Sequence, residues 1–424
     1  VTSSRGLPDA EWLRKPPLAA LLALLDGDGE EARVVGGAVR NSLLGEPIGE
    51  VDIATTAVPD EVMRRAEAAG FKPVPTGIEH GTITVVVNGH PYEVTTLRQD
   101  IETYGRKAKV AFGRDWEMDA RRRDFTINAL SASPDGVVYD YVGGLHDIAE
   151  RRVRFIGDAA ARIAEDYLRI LRFFRFHASY GQGYPDPDGL HACIVARSGL
   201  QSLSRERVRM ELLKLLLARH AVPALAVMAE TGLLGQVLGG VPLLASFSNM
   251  IKLEAATGRE PDRVRRLGAL AVLVLEDADR LWERLRLTNA EHARLFAIGD
   301  GWWRIIPEAG RHAARAALYA LGPESFVDQV LLAWSRSSAN AADENWRALA
   351  ALPQHWTTPE SPFRAADFIT RGIAKGPQLG AALRAAEAAW IAADFPSDET
   401  TIARIAEQAL VVSAAAAKQR GENK

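Results

Sequence analysis

Apolar and polar positions follow two regimes along the 424 residues. From residue 33 to 156, β-branched clusters recur: "ARVVGG", "EVDIATT", "GTITVVV", "YEVTTL", "VVYDYV" and "RRVRFIG". Stretches such as 59–69 lie between them and read as helix, so this region predicts a mixed α/β layer of several short strands. Beyond about residue 158 the β signal fades. Residues 158–180 and 204–219 repeat apolar side chains at helical spacing, and the Leu/Ala-rich remainder continues in this way. Leu379, Leu383, Ala386 and Trp390 repeat similarly after Gly376–Pro377, and "TNAE" at 288–291 has the form of a capping box. Residues 9–25 predict a leading helix broken at Pro16–Pro17. The pattern as a whole predicts an α+β protein, with an α/β head followed by a long helical body.

Length and composition narrow this picture. A chain of 424 residues exceeds what one core supports, so two to four domains are expected. The net charge of −3 excludes a polycation, and any nucleic-acid surface must be local. Residues 151–214 carry twelve Lys/Arg against seven Asp/Glu, a balance of +5 that leaves −8 on the rest. Cys193 is the only cysteine, which excludes an internal disulfide and a thiolate zinc cluster and suits a reducing, cytoplasmic setting. The start "VTSSRGLPDAEW" does not read as a secretory signal. The longest aliphatic run, Leu267 to Leu275, is too short to cross a bilayer and predicts a buried helix.

Candidate chemistry concentrates in "VGGAVRNSLLGEPIGEVDIATTA" at 35–57. Side chains at i and i+2 of a strand share a face, so Glu50 and Asp52 aim together while Val51 and Ile53 face the core. Two carboxylates so placed repel unless a cation sits between them, and hard oxygen donors suit Mg²⁺. Upstream, Gly36–Gly37 lets the backbone approach a phosphate, with Arg40 at the start of a helix whose N–H groups favour anions.

Together these residues resemble the signature of the polymerase-β-like nucleotidyltransferases, in the branch of the bacterial class II tRNA nucleotidyltransferases and related poly(A) polymerases. The family form is Gly-Gly-x-x-Arg, a helix and a turn, then Asp-x-Asp; Glu50 stands here for the first aspartate. The resemblance implies a third carboxylate on a neighbouring strand, best matched by Glu93 in "YEVTTLR". It continues in "ARRRDFTINAL" at 120–130, where Arg123 would touch the phosphates and Asp124 and Asn128 the ribose.

"EDYLRILRFFR" at 165–175 resembles the class II base-reading motif, Glu-Asp-x-x-Arg. Asp166, Arg169, Arg172 and Arg175 recur every third residue, a slowly turning stripe if one helix carries them all. Cytosine and adenine each present an exocyclic amine beside an acceptor. An aspartate accepts from that amine while an arginine donates to its neighbour, whereas guanine and uracil oppose a carbonyl to the carboxylate. Such a contact is worth about 1–3 kcal/mol of discrimination. Asp166 and Arg169 would thus admit C and A, with Arg172 and Arg175 adding base or phosphate contacts.

"GIEHGTITVV" at 77–86 resembles the stretch after the metal motif in CCA-adding members, and residues 100–125 resemble the loop that helps the switch from C to A. The core of that loop is loosely met by Tyr104–Lys107. "SRERVRMELLKLL" at 204–216 matches a structural neck helix.

The resemblance implies a leading helix (1–32), a nucleotidyltransferase head with a mixed sheet (33–157), a base-recognising neck (158–220), and an all-α body (221–350) and tail (351–424) that bind tRNA. The implied activity is addition or repair of the tRNA 3′ CCA end from CTP and ATP, with pyrophosphate released and two Mg²⁺ ions held by Glu50 and Asp52 with Glu93. A poly(A) polymerase, an enzyme adding only CC or only A, and an inactive tRNA-binding protein are the alternatives. A small-substrate nucleotidyltransferase is disfavoured by the arginine-rich neck and long helical body.

No membrane or protein partner is expected. His146–Asp147 reads as a turn, "VLGGVP" at 238 as a helix break, and neither H-x-x-x-H nor a P-loop occurs.

Overall fold

The computed structural model describes residues 3–7, 10–104 and 107–422. Gly105 and Arg106, within the loosely matched loop core, lie outside the described residues. The strands are β1 (Ser3–Gly6), β2 (Ala32–Val35), β3 (Asp52–Thr55), β4 (Lys72–Gly77), β5 (Thr82–Val87), β6 (His90–Thr96), β7 (Arg98–Tyr104), β8 (Lys107–Phe112), β9 (Ser131–Ala132) and β10 (Val137–Asp140). Eight of them form one sheet, in the order β1-β10-β9-β2-β3-β6-β5-β4, while β7 and β8 make a separate hairpin. The sheet is mixed, because β3 and β6 run parallel while the other paired neighbours run antiparallel.

Period-2 alternation sets its faces. Ile53, Ile83, Val85, Val87 and Val94 are buried, while Thr82, Thr84 and Glu93 point the other way. Helices α1 (Pro16–Leu25) and α3 (Pro59–Ala68) cover the apolar side with Leu18, Leu21, Leu22, Leu25, Val62 and Ala66; α2 (Gly37–Leu44) lies between them in sequence. Beyond β8 come α4 (Trp116–Arg121), α5 (Gly144–Ala149), α6 (Ala159–Glu165), α7 (Leu168–Tyr180), α8 (Pro187–Val195) and α9 (Arg205–Leu216).

Four local expectations change. Pro16 starts α1 instead of breaking a longer helix, since proline fits a first turn that needs no N–H partner; the preceding residues hold β1 and a 3₁₀ turn at Glu11–Arg14. "RRVRFIG" makes only an isolated bridge, Phe155 to Phe125, because Arg152 and Arg154 are drawn to Asp186 and Asp147. The run Leu267–Leu275 is not one helix. It breaks at Val272, where the Asp277 carboxylate accepts from the backbone N–H groups of Leu273 and Val274 and leaves both side chains exposed. The helix expected over 158–180 divides into α6 and α7 at Asp166.

Contacts separate the chain into two compact units, Val1–Pro242 with Arg284–Arg286, and Leu243–Glu283 with Leu287–Lys424. The second unit is helical. The predicted capping box forms at its Thr288, which exchanges bonds with Glu291, and a separate tail core gathers Phe368, Ala382, Ala386 and Trp390. Among the described residues, no helix is long and apolar enough to cross a membrane.

In the first unit, α7 is fixed to the head by phenylalanines. Phe173 is fully buried, with ring centres 5.4 Å from Phe155, 5.4 Å from Phe174 and 6.3 Å from Phe125. Phe173→Ala leaves a cavity there and is expected to lower stability by about 3–5 kcal/mol. Urea titration followed by circular dichroism measures this, and a loss under about 1 kcal/mol would contradict the packing described.

Candidate active site

The turn between β2 and α2 is built on glycine for two reasons. Gly36 has φ +69° and ψ −119°, and a Cβ there would sit 3.4 Å from Arg123 Nη1. Gly37 opens α2, and a Cβ on it would lie 3.7 Å from Arg40 Nη2. Two guanidiniums therefore approach this bare backbone closely. The turn follows β2, whose Val35 pairs with Asp52.

Asp52 is the first residue of β3, and its register partner on β6 is Glu93. Adjacent residues of paired strands leave the sheet on one face, so these two carboxylates stand side by side, opposite buried Ile53 and Val94. Glu50 is not on the strand as expected. It lies in the irregular segment after the Gly45 cap, where Pro47 and Gly49 interrupt regular pairing. Its charge still reaches Asp52. Burial, then Glu93 and finally Glu50 push the Asp52 carboxyl above the usual aspartate range, against the pull of Arg123. Among the described residues, no three His, Cys, Asp or Glu side chains converge to enclose an ion unaided.

Arg123 is half-buried between the Asp119 carboxylate, 3.2 Å from Nη2, and the Asn128 carbonyl, 3.4 Å from Nη1. Asp124 accepts from the Phe125 N–H at 2.9 Å and the Asn128 amide at 3.1 Å; its second oxygen accepts from Arg172 Nε at 2.8 Å. Burial works against the Asp124 charge, but Arg172 and Asn128 outweigh it and hold the carboxyl below the usual range. Asn128 Oδ1 in turn accepts from Arg40 Nη1 at 2.5 Å. Asp147, expected in a turn, is a buried residue of α5; it accepts from the Thr126 hydroxyl and from Arg154, bracing the same segment.

The expected stripe of Asp166 and three arginines on one helix is corrected. Asp166 sits at the break, its backbone extended (φ −157°, ψ 107°) and its Oδ1 accepting from the Leu168 N–H at 3.1 Å. Its other oxygen pairs with Arg207 of α9 at 2.5 Å, at a cleft of about 410 Å³ that both residues line. Arg169, on α7, pairs with Glu165 at 2.5 Å and not with Asp166. Arg172 pairs with Asp124 and Arg175 with Glu211, so neither is a free cation. Arg162 donates to the carbonyls of Arg122 and Arg123 and pairs with Glu165, linking the end of α4 to the cleft.

Sequence reasoning gave no role to Asp119, Glu165, Tyr180, Arg207 or Glu211. The first two are signalled locally, as i,i+4 partners of Arg123 and Arg169. The others come from distant positions and carry no such mark.

Comparison with known proteins matches the sequence and fold to a family. Residues 32–154 match the model of the poly A polymerase head domain, and residues 185–247 that of a probable RNA and SrmB-binding site of polymerase A. The chain is 32% identical to human mitochondrial CCA tRNA nucleotidyltransferase 1 over 394 residues, 90% of this chain and 88% of that protein. It is 31% identical to the CCA-adding enzyme of Limosilactobacillus fermentum over 400 residues, 93% and 97% of the two chains. The crystal structure of the Bacillus stearothermophilus CCA-adding enzyme in complex with CTP superposes with a TM-score of 0.74 at 31% identity, covering 97% of this chain and all of that one. The chain belongs to the family of CCA-adding enzymes and poly(A) polymerases.

Proposed function

We propose that this chain is a template-independent CCA tRNA nucleotidyltransferase, which builds or repairs the tRNA 3′ end from CTP and ATP and releases pyrophosphate. The observation that carries this reading within its family is the seat of Asp166. Its carboxylate is pinned by a backbone N–H and by Arg207 at the edge of a cleft. A carboxylate presents acceptor oxygens, which suit the amines of cytosine and adenine and oppose the carbonyls of guanine and uracil. Arg169, held by Glu165, stands one turn further on to donate to the neighbouring acceptor of the base.

The head supplies the transfer chemistry. Gly36–Gly37 at the start of α2, with Arg40 and Arg123, holds the triphosphate, and Asp124 with Asn128 orients the ribose. The 3′-terminal hydroxyl of tRNA attacks the α-phosphorus in line and gives up its proton to water, an O–P bond forms, and the bond to pyrophosphate breaks. Asp52 and Glu93, with Glu50, would hold Mg²⁺, which supplies Lewis-acid activation of the hydroxyl and charge neutralisation of the phosphates, two ions being expected. The donor set fits. Asp52 is destabilised by burial and then by neighbours of its own sign, conditions a divalent cation relieves, and an open pair of carboxylates leaves further positions to phosphate and water. The basic neck, with the helical body and tail, binds the acceptor arm by shape and phosphate charge. A cytoplasmic setting suits the single, buried Cys193.

Supplying nucleotides singly and together to tRNA lacking its 3′ CCA tests the reading. CTP alone is expected to add two residues and CTP with ATP three. Long A tracts would mark a poly(A) polymerase, and a product stalled after CC a partial enzyme.

Asp52→Asn tests the metal face twice. It is expected to lower kcat at least about a thousandfold. It also removes a carboxyl whose pKa is raised on folding. Such a group favours folding below the usual aspartate pKa of about 3.9 and loses that contribution as pH rises through its folded value. The variant should therefore melt higher than the parent at pH 7.5 without metal, with the gain shrinking as pH falls through the raised folded pKa toward the usual aspartate range. A lower melting temperature at pH 7.5 would contradict the burial and repulsion described.

A further inference from the structure

Phe176 and Tyr180 stand one turn apart on α7, their rings stacked at 5.9 Å and 28°. Arginines 40, 172 and 175 gather on this aromatic floor. Arg175 lies 4.1 Å and Arg172 5.2 Å from the Phe176 ring centre, and Arg40 lies 3.9 Å from that of Tyr180. Arg172 and Arg175 are neutralised, by Asp124 and Glu211 respectively.

Arg40 differs. It is only 6% exposed, and its partners among the described residues are neutral: Asn41 Oδ1, Asn128 Oδ1 and Tyr180 Oη, the last at 2.7 Å. These bonds engage both hydrogens of Nη2, the hydrogen of Nε and one of the two on Nη1. A buried guanidinium without a carboxylate keeps its charge for an anion that arrives later, and it lies against the bare Gly36–Gly37 turn. The Phe176 ring centre lies 5.3 Å from the Arg40 guanidinium carbon, while Tyr180, nearer at 3.9 Å, supplies both a ring face that fixes the guanidinium plane and the oxygen that fixes its rotation.

We propose that Tyr180 is a positioning residue for the nucleoside triphosphate, holding Arg40 beneath the Gly36–Gly37 turn where the negative charge of the phosphate chain is bound. This rests on the transferase reading and adds to it a residue 140 positions from Arg40 in sequence. Because CTP and ATP share the phosphate chain, Tyr180 serves both nucleotides equally and has no part in base choice.

The test is a double-mutant cycle in steady-state kinetics on tRNA lacking its 3′ end, with Tyr180→Phe, Tyr180→Leu, Arg40→Gln and the double variant Arg40→Gln with Tyr180→Leu. Tyr180→Leu is expected to raise KM for CTP and ATP alike by about tenfold while kcat changes less than about threefold. Tyr180→Phe keeps the ring, gives an intermediate effect, and carries the test if the leucine variant fails to fold. In the Arg40→Gln background Tyr180→Leu should add less than about twofold, since it acts through Arg40. Multiplicative effects in an active enzyme, or a KM change for one nucleotide only, would overturn this inference while leaving the transferase reading intact. A parent protein that transfers no nucleotide overturns both.

Discussion

A carboxylate held almost out of water, Asp124, ties the nucleotide site together. Isolated, it would cost several kcal/mol to keep charged. Arg172 meets it from α7 and Asn128 from its own turn, and Asn128 passes the connection to Arg40 and so to Tyr180. The chain starts and ends on α7, so the loop of bonds closes between the sheet-bearing segment and the helix that follows it. The phenylalanines beneath supply apolar burial, while the bonds above supply direction. Removing one partner of a buried pair leaves the other unpaired, at about 3–5 kcal/mol. This is why the arginines of α7 serve architecture before they serve any ligand.

The charges then sort by purpose. Where a carboxylate and an arginine are paired, as in Arg175–Glu211 or Arg169–Glu165, the pair fixes geometry. Within the nucleotide site, the carboxylates of Asp52 and Glu93 stand together, and Arg40 makes its bonds to neutral partners. In the proposed reaction, substrate phosphates and their counter-ions complete the charge balance at both. Stability is spent locally at both, consistent with a site built to receive ligand charge.

Much of this was legible in the sequence. Five of the six β-branched clusters marked strands, and the capping box at Thr288 and the helix around Trp390 formed as read. The resemblance directed attention to Glu93, whose pairing with Asp52 no local pattern could give, because parallel neighbours are set by tertiary register. The break at Asp166 was missed for a physical reason. A side chain that caps the next helix preserves the apolar period on both sides, so the sequence around it reads as one continuous helix. Pro47 and Gly49 gave fair warning that Glu50 lies off the strand. Tyr180 gave none, since its partner comes from the other end of the unit and an aromatic at helical spacing looks like core.

The most direct measurement is a crystal structure with a non-hydrolysable CTP analogue and Mg²⁺. Phosphates over Gly36–Gly37 beside Asp52 and Glu93, with the cytosine amine turned to Asp166, is the arrangement predicted. A nucleotide bound away from the Gly36–Gly37 turn, or seated there with its amine directed away from Asp166, would contradict it.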